Sequence, residues 1–388
     1  MKEIVIAGAC RTAQGKLGGA LRSFTNQELG SVLIRALLER SKVDPDAVDE
    51  VIMGCVGQQS DAHNVARVIS VMAGIPPRVP AYTVNRNCAS GMQALVSAAQ
   101  AILSGSAGLV IAGGVEVMSA VPFVNRDMRF GKKLRHSVMI DSLWEGLRDP
   151  LSGMMMGETA ELLAREFSLT RFEQDRYAME SHRRACAAAA GRFKDEIAPV
   201  CLPSRDRRLF DTDEGPLPST SIEVLSQLPS TFCEGGTVTA GNSCQISDGA
   251  AALIVASRER AVSLGLRVMA KVKAFGFTGC DPKRMGMGPV AATRKVLDLA
   301  GMTTKDIGLF EINESFAAQY LAVEKELHLD RSLVNVNGGA IALGHPVGAS
   351  GTRIVVTLLH EMIRRGCPAG LASLCVGGGQ GGAVLLEL

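Results

Sequence analysis

Three side chains with reactive sulfur or nitrogen stand where the chain must turn: Cys88, His345 and Cys375. Cys88 lies in Asn87-Cys88-Ala89-Ser90-Gly91, between an apolar strand and a small-residue helix. A thiol at a helix N-terminus meets unpaired N–H groups and the positive dipole end, which favour the thiolate. A thiolate is a far better nucleophile than a hydroxyl near neutral pH. The competing role is an inert packing thiol. His345 follows Gly338-Gly339-Ala340-Ile341-Ala342-Leu343-Gly344 and precedes Pro346, the composition of a loop in an unusual backbone shape. Gly348-Ala349-Ser350-Gly351 then opens a helix, so the imidazole sits near a helix start; a water-exposed loop histidine is the alternative. Cys375 ends the apolar strand Leu371 to Val376 and runs into Gly377-Gly378-Gly379-Gln380-Gly381-Gly382. Such a run lets backbone N–H groups approach a ligand and form an oxyanion-stabilising nest. It also satisfies G-x-G-x-x-G, but that fingerprint needs a helix and a further strand after it, and only Ala383 to Leu388 follow. Asn313-Glu314-Ser315-Phe316 offers an amide and a carboxylate just after a strand, with a helix N-cap as the equal alternative.

These residues sit on a scaffold that repeats itself. Apolar strands alternate with amphipathic helices, the pattern of a layered α/β protein. Arg35 to Gly54 aligns without a gap against Arg294 to Asn313, each a helix, a polar turn and a strand. Further on, the Val84-Asn85 to Gly114 segment answers Val336-Asn337 to Gly379, both passing through Ala-Ser-Gly at a helix start. The loop carrying His345 is then the counterpart of the loop carrying Cys88, and a pseudo-twofold axis brings the two together. Residues from about Met118 to Ser243 have a different, Met- and charge-rich texture, which reads as an insertion covering the first half. The strand-like Gly249 to Ala256 returns the chain to that half.

The 388 residues call for two domains or one large compound unit. Hydrophobic residues at 47% and charged ones at 21% suit a globular chain with a large core. The net charge of +2 is dispersed and aromatics reach only 4%, so no nucleic-acid or membrane partner is expected. The N-terminus reads as a strand rather than a signal peptide. Ten cysteines then point to free thiols in a reducing compartment, with the cytoplasm as default. The dispersed histidines and the lack of C-x-x-C or H-E-x-x-H argue against a metal site. No Walker loop or G-x-S-x-G elbow occurs.

NCASG around Cys88, NESFA at Asn313 to Ala317, GGAIALGHPVGASG around His345 and CVGGGQG at Cys375 together resemble the signature blocks of the thiolase family. MGETAE at Met156 to Glu161 and TVTAGN at Thr237 to Asn242 extend the resemblance over nearly the whole chain. It implies a five-layered αβαβα fold of two duplicated halves, residues 1–117 with 244–268 and residues 269–388, plus a loop domain over 118–243. It also implies a homodimer or homotetramer acting on acyl-CoA and CoA as substrates, with no further cofactor.

On that resemblance, Cys88 is the nucleophile that becomes the acyl-thioester, and His345 accepts its proton and helps hold the thioester oxyanion. Cys375 exchanges the α-proton of acetyl-CoA, and Asn313 fixes a water in one oxyanion hole. The N–H groups of Cys88 and Gly377 form the other. Leu147, Met156, Phe232 and Phe316 are apolar walls, and Ala240, Ser243 and Cys244 are further substrate-binding positions. Three departures stand out. Met154-Met155-Met156-Gly157 lacks the His usual in acetoacetyl-type thiolases and fits a site broader than acetyl. Leu217 stands where relatives carry a CoA-contacting Arg, with Arg205, Arg207 or Arg208 as substitutes. Cys244 replaces a pantetheine-contacting Ser. The rival readings are a decarboxylating ketoacyl synthase-like condensing enzyme, which needs no thiol base, and a non-catalytic thiolase-like binding protein.

Overall fold

The computed structural model describes residues 2–203 and 208–388. In chain order the first half contributes β1 (Ile4–Arg11), α1 (Asn26–Ser41), β2 (Glu50–Gly54), α2 (Val65–Met72), β3 (Ala81–Val84), α3 (Ser90–Ser104) and β4 (Leu109–Val117). The stretch that follows carries α4 (Met156–Glu166) and α5 (Arg171–Ala189), and the chain returns through β5 (Ser247–Ser257). The second half adds β6 (Ala270–Gly279), α6 (Gly288–Ala300), β7 (Leu309–Ile312), α7 (Ala317–Leu327), α8 (Val347–Arg365), β8 (Ala369–Val376) and β9 (Gln380–Glu387).

The strands lie in the order β3-β2-β4-β5-β1-β6-β9-β8-β7. Where the halves meet, β1 and β6 share only the pairs Val5 with Lys271 and Ile6 with Ala270. Outward from this seam both halves repeat one scheme. β5 on β1 and β4 on β5 are antiparallel, and β2 on β4 and β3 on β2 are parallel. On the other side β9 on β6 and β8 on β9 are antiparallel, β7 on β8 is parallel, and a single parallel bridge joins Phe310 to Val334 where β3 has its counterpart. The duplicated segments also end their helices alike. Lys42 after α1 and Gly301 after α6 occupy aligned positions, and both are left-handed, at φ 54° and 66°.

Period-two patterning in the strands builds three cores. In β4, Leu109, Ile111 and Val115 face the core with α1 and α2, while Val110 and Ala112 face the central helices. In β8, Ala372, Leu374 and Val376 face the centre, and Leu371 and Cys375 face the core with α6 and α7. The order is therefore helix, sheet, helix, sheet, helix, the layered architecture expected. α3 and α8 form the middle layer in close contact. A Cβ on Gly91 would lie 2.5 Å from Thr352 Oγ1, and one on Gly351 would lie 2.5 Å from the Met92 nitrogen.

The inserted stretch does more than cover the first half. Leu163, Leu169, Tyr177 and Ala178 belong to the core of α6 and α7, whereas Phe193, Ile197 and Val200 belong to that of α1 and α2. Buried Arg11 of β1 ties it down, pairing with Glu196 at 2.6 Å and Asp213 at 2.7 Å. An insertion built on apolar residues of its own can anchor to either half, which its Met- and charge-rich texture conceals. Among the described residues, no helix is long and apolar enough to cross a membrane.

Candidate active site

Cys88 sits just before α3, after a residue in an uncommon backbone shape. Asn87 has φ 45°, a left-handed conformation that asparagine tolerates. Its N–H donates to Asn85 Oδ1 at 2.9 Å, and its Nδ2 reaches across to the Gly377 carbonyl at 2.8 Å. The nucleophile loop of one half is thus tied to the glycine hairpin of the other. The Cys88 sulfur faces the N–H groups of Gly377 and of Cys88 itself, which favour its anion. Burial is the larger influence and raises its pKa. The helix start alone suggests a thiolate, but desolvation wins and the resting group is a thiol.

His345 is set by Gly344 at φ 102°, where a Cβ would lie 2.5 Å from Ser247 Oγ. The His345 N–H donates to the Gln245 carbonyl at 2.9 Å. The imidazole is buried rather than a water-exposed loop group, with Nδ1 2.6 Å from Ser350 Oγ and Nε2 without a partner among the described residues. Burial, and then the charge of Arg353, lower its pKa to about 3, so it rests neutral. Glu116 brings this loop against the first half. Its buried carboxylate accepts from the N–H groups of Val56 at 3.0 Å, Gly57 at 2.8 Å and Gly348 at 2.8 Å.

Cys375 ends β8 beside Ser315, with Oγ and Sγ 3.2 Å apart. Burial first, and then the charge of an ionised Cys88, push its pKa up to about 12, while the Ser315 hydroxyl pulls it down. Asn313 Nδ2 donates to the same hydroxyl at 3.1 Å, and Asn313 Oδ1 has no partner among the described residues. Asn313 is not an N-cap, since α7 begins at Ala317 with Phe316 at the cap. Glu314 has another task. Its carboxylate takes Tyr177 Oη and Ser181 Oγ of α5 at 2.7 Å each, Asn335 Nδ2 at 3.0 Å and the Ile341 N–H at 3.1 Å. It locks the insertion to the second half and leaves Asn313 as the chemically open member of the pair.

Cys88, Gly377, Leu147 and Met156 line one cavity of ≈ 660 Å³, together with Glu116 and Val347, two residues beyond His345. Phe232, Ala240, Ser243, Cys244 and Phe316 do not line it. Phe232 and Phe316 meet edge to face at 6.0 Å, and Ser243 pairs with Phe316. The Ser243 hydroxyl donates to the Thr239 carbonyl at 2.6 Å, and Cys244 donates its N–H to Ser315 at 3.0 Å. The Cys244 pKa is raised by burial first and then by the neighbouring Cys88 and Cys375 sulfurs, so three thiols share one locality. Leu217 is 43% exposed and Arg208 is on the surface, while Arg205 and Arg207 lie outside the described residues. Asn87, Ser315 and Ser350 escape sequence reasoning as site residues. Asn87 alone left a signal, an asparagine at a tight turn before the candidate nucleophile.

Known proteins share this fold. Residues 4–259 match the family profile "Thiolase, N-terminal domain" and residues 266–388 match "Thiolase, C-terminal domain". The chain is 49% identical to an acetyl-CoA acetyltransferase of Pseudomonas aeruginosa over 390 residues, covering 100% of this chain and 99% of the relative. It superposes on the crystal structure of the Bacillus anthracis acetyl-CoA acetyltransferase with a TM-score of 0.98 at 46% identity, over 100% and 99% of the two chains. For human mitochondrial 3-ketoacyl-CoA thiolase in complex with CoA the TM-score is 0.97 at 44% identity, over 100% and 98%. With both family domains matched end to end, the two cysteines, the imidazole and the glycine hairpin stand on a scaffold whose membership is settled: the chain belongs to the thiolase family.

Proposed function

We propose that this thiolase-family acyltransferase makes or cleaves 3-ketoacyl-CoA by ping-pong transfer through Cys88, chiefly as an acetyl-CoA acetyltransferase. The observation that carries the reading is the Cys88 sulfur facing two N–H groups, one from each half, at the edge of a substrate-sized cavity. Attack by Sγ on a thioester carbonyl moves the thiol proton to His345 Nε2, and the departing CoA thiolate receives it back. A resting thiol beside a neutral imidazole implies that proton transfer accompanies attack, because either charge alone is costly in this buried site. The N–H groups of Cys88 and Gly377 receive the acyl oxygen, while His345 and a water held by Asn313 serve the CoA thioester.

Cys375 then exchanges the α-proton. Ser315 Oγ, receiving from Asn313, has its own hydrogen to offer a Cys375 thiolate. CoA and acyl-CoA enter as substrates, and the chemistry calls on no other cofactor. The relatives named for acetyl-CoA acetyltransferase activity support the short-chain assignment. A broader 3-ketoacyl-CoA range is favoured by the cavity, whose ≈ 660 Å³ and apolar lining residues Val121, Pro122, Val124, Leu143 and Leu147 exceed the needs of an acetyl group.

We place the enzyme in the cytoplasm and in fatty acid metabolism. Buried thiols that are not paired in disulfides, Cys10, Cys55 and Cys375 among them, support the compartment. A homodimer or homotetramer is supported by β3, which ends the sheet with one edge open, and by the exposed Phe123, Phe130, Leu134 and Trp144. A kinetic panel of 3-ketoacyl-CoA lengths with CoA tests the assignment. Turnover of acetoacetyl-CoA with a mass increase on Cys88 is expected. A requirement for malonyl thioester would favour a decarboxylating condensing enzyme, and binding without turnover a non-catalytic protein.

A further inference from the structure

We infer that Ser350 is a positioning residue that holds His345 as the Nδ1–H tautomer, leaving the Nε2 lone pair to take the nucleophile's proton; the inference rests on the proposed role of His345 as proton acceptor. A serine hydroxyl has one hydrogen and two lone pairs, and a neutral imidazole has one N–H and one lone pair. Ser350 Oγ lies 2.6 Å from His345 Nδ1 and 2.9 Å from the Pro346 carbonyl oxygen. The carbonyl can only accept, so the hydroxyl hydrogen belongs to that contact and Nδ1 must supply its own. The opposite assignment turns the hydroxyl to Nδ1 and leaves two oxygens 2.9 Å apart with no hydrogen between them. It would also place an N–H on Nε2, which is buried and has no acceptor among the described residues. Buried N–H groups without acceptors are rarer than buried acceptors without donors. Both considerations select one tautomer.

The surroundings support the neutral ring. α8 begins at Val347, two residues beyond His345, and its positive end opposes an imidazolium, as does the charge of Arg353. The chemical consequence is economy of motion. The S–H bond of Cys88 breaks, an N–H bond forms at Nε2, and the sulfur electron pair forms the S–C bond while the carbonyl π pair moves to oxygen. The Nδ1–H stays on Ser350 throughout, so the ring needs no rotation before its new Nε2–H meets an oxyanion.

Magic-angle-spinning 15N spectra of histidine-labelled whole enzyme read the tautomer directly, with His345 assigned by the signal lost in His345→Asn. A protonated Nδ1 beside a lone-pair Nε2 is expected, and a protonated Nε2 overturns the inference. Ser350→Ala should slow Cys88 acylation by about 10–100-fold, with KM for acetoacetyl-CoA little changed and a mixture of tautomers. Ser350→Thr, which keeps the hydroxyl, should restore most of the rate and the single tautomer. An unchanged acylation rate in Ser350→Ala, or no rescue by Thr, counts against the role. If Ser350→Ala does not fold, the wild-type spectrum alone decides. An enzyme with the expected tautomer but no acyl adduct on Cys88 would fault the assigned reaction and leave the tautomer standing.

Discussion

The two halves end equivalent strands in opposite ways. Gly54 closes β2 directly under the start of α3, and a Cβ there would lie 2.4 Å from the Ser90 carbonyl carbon and 2.5 Å from the Gly91 nitrogen. The aligned position after β7 is Asn313, whose side chain is fully buried and reaches Ser315 beside Cys375. One half is packed shut against backbone and so brings its helix N-terminus, with Cys88, onto the strand end. The other leaves room for polar groups at the same level. The duplicated scaffold thus differs at one aligned position: glycine packs against the loop carrying Cys88, and asparagine reaches the groups beside Cys375.

The comparison can be broken at several points. Cys88→Ala removes the group toward which both halves are built, and thiolysis of acetoacetyl-CoA should fall by at least about 10⁴-fold. Asn313→Gly makes the second half resemble the first. kcat should drop by about 10²–10³, with thermal stability nearly unchanged; a loss of stability alone would show a structural role instead. Gly54→Asn imposes the second half's residue on the first. It forces the Ser90–Gly91 backbone to shift, at about 1–3 kcal/mol in chemical denaturation and with clear loss of Cys88 acylation. Glu314→Gln cannot satisfy the donors from Tyr177, Ser181, Asn335 and Ile341 together, and should lower stability by about 2 kcal/mol.

A further effect is one of pH. Burial lowers the pKa of His345 to about 3 and that of His182 to about 4. Below roughly pH 6.5 the unfolded chain takes up protons that these folded side chains refuse. Stability is therefore present above that pH and lost on acidification toward the folded values, at about 1.4 kcal/mol per pH unit for each histidine. His345→Asn should flatten the fall of Tm between roughly pH 6 and pH 4. An unaltered slope would mean that the ring protonates in the folded protein.

The repeat was legible because it is written in local chemistry: helix, left-handed cap, polar turn and strand recur in register from Arg35 and from Arg294. The reactive residues were legible because cysteines and a histidine at glycine-rich turns stand out against an apolar scaffold. Other features depend on three-dimensional packing. Whether Cys88 rests as thiol or thiolate is decided by desolvation, which no spacing encodes. Asn87 becomes a tie to Gly377 only once the halves are apposed. Glu314 looked like site furniture because its four partners lie far along the chain, and the insertion's attachment to both halves is hidden for the same reason.

Cys375→Ser offers the most direct test of the division of labour between the halves. After incubation with acetyl-CoA and digestion, mass spectrometry should find an acetyl group on the peptide carrying Cys88, while formation of acetoacetyl-CoA is abolished. An unmodified Cys88 in that variant, alongside a labelled wild-type enzyme, would contradict the assignment of acyl transfer to one sulfur and proton transfer to the other.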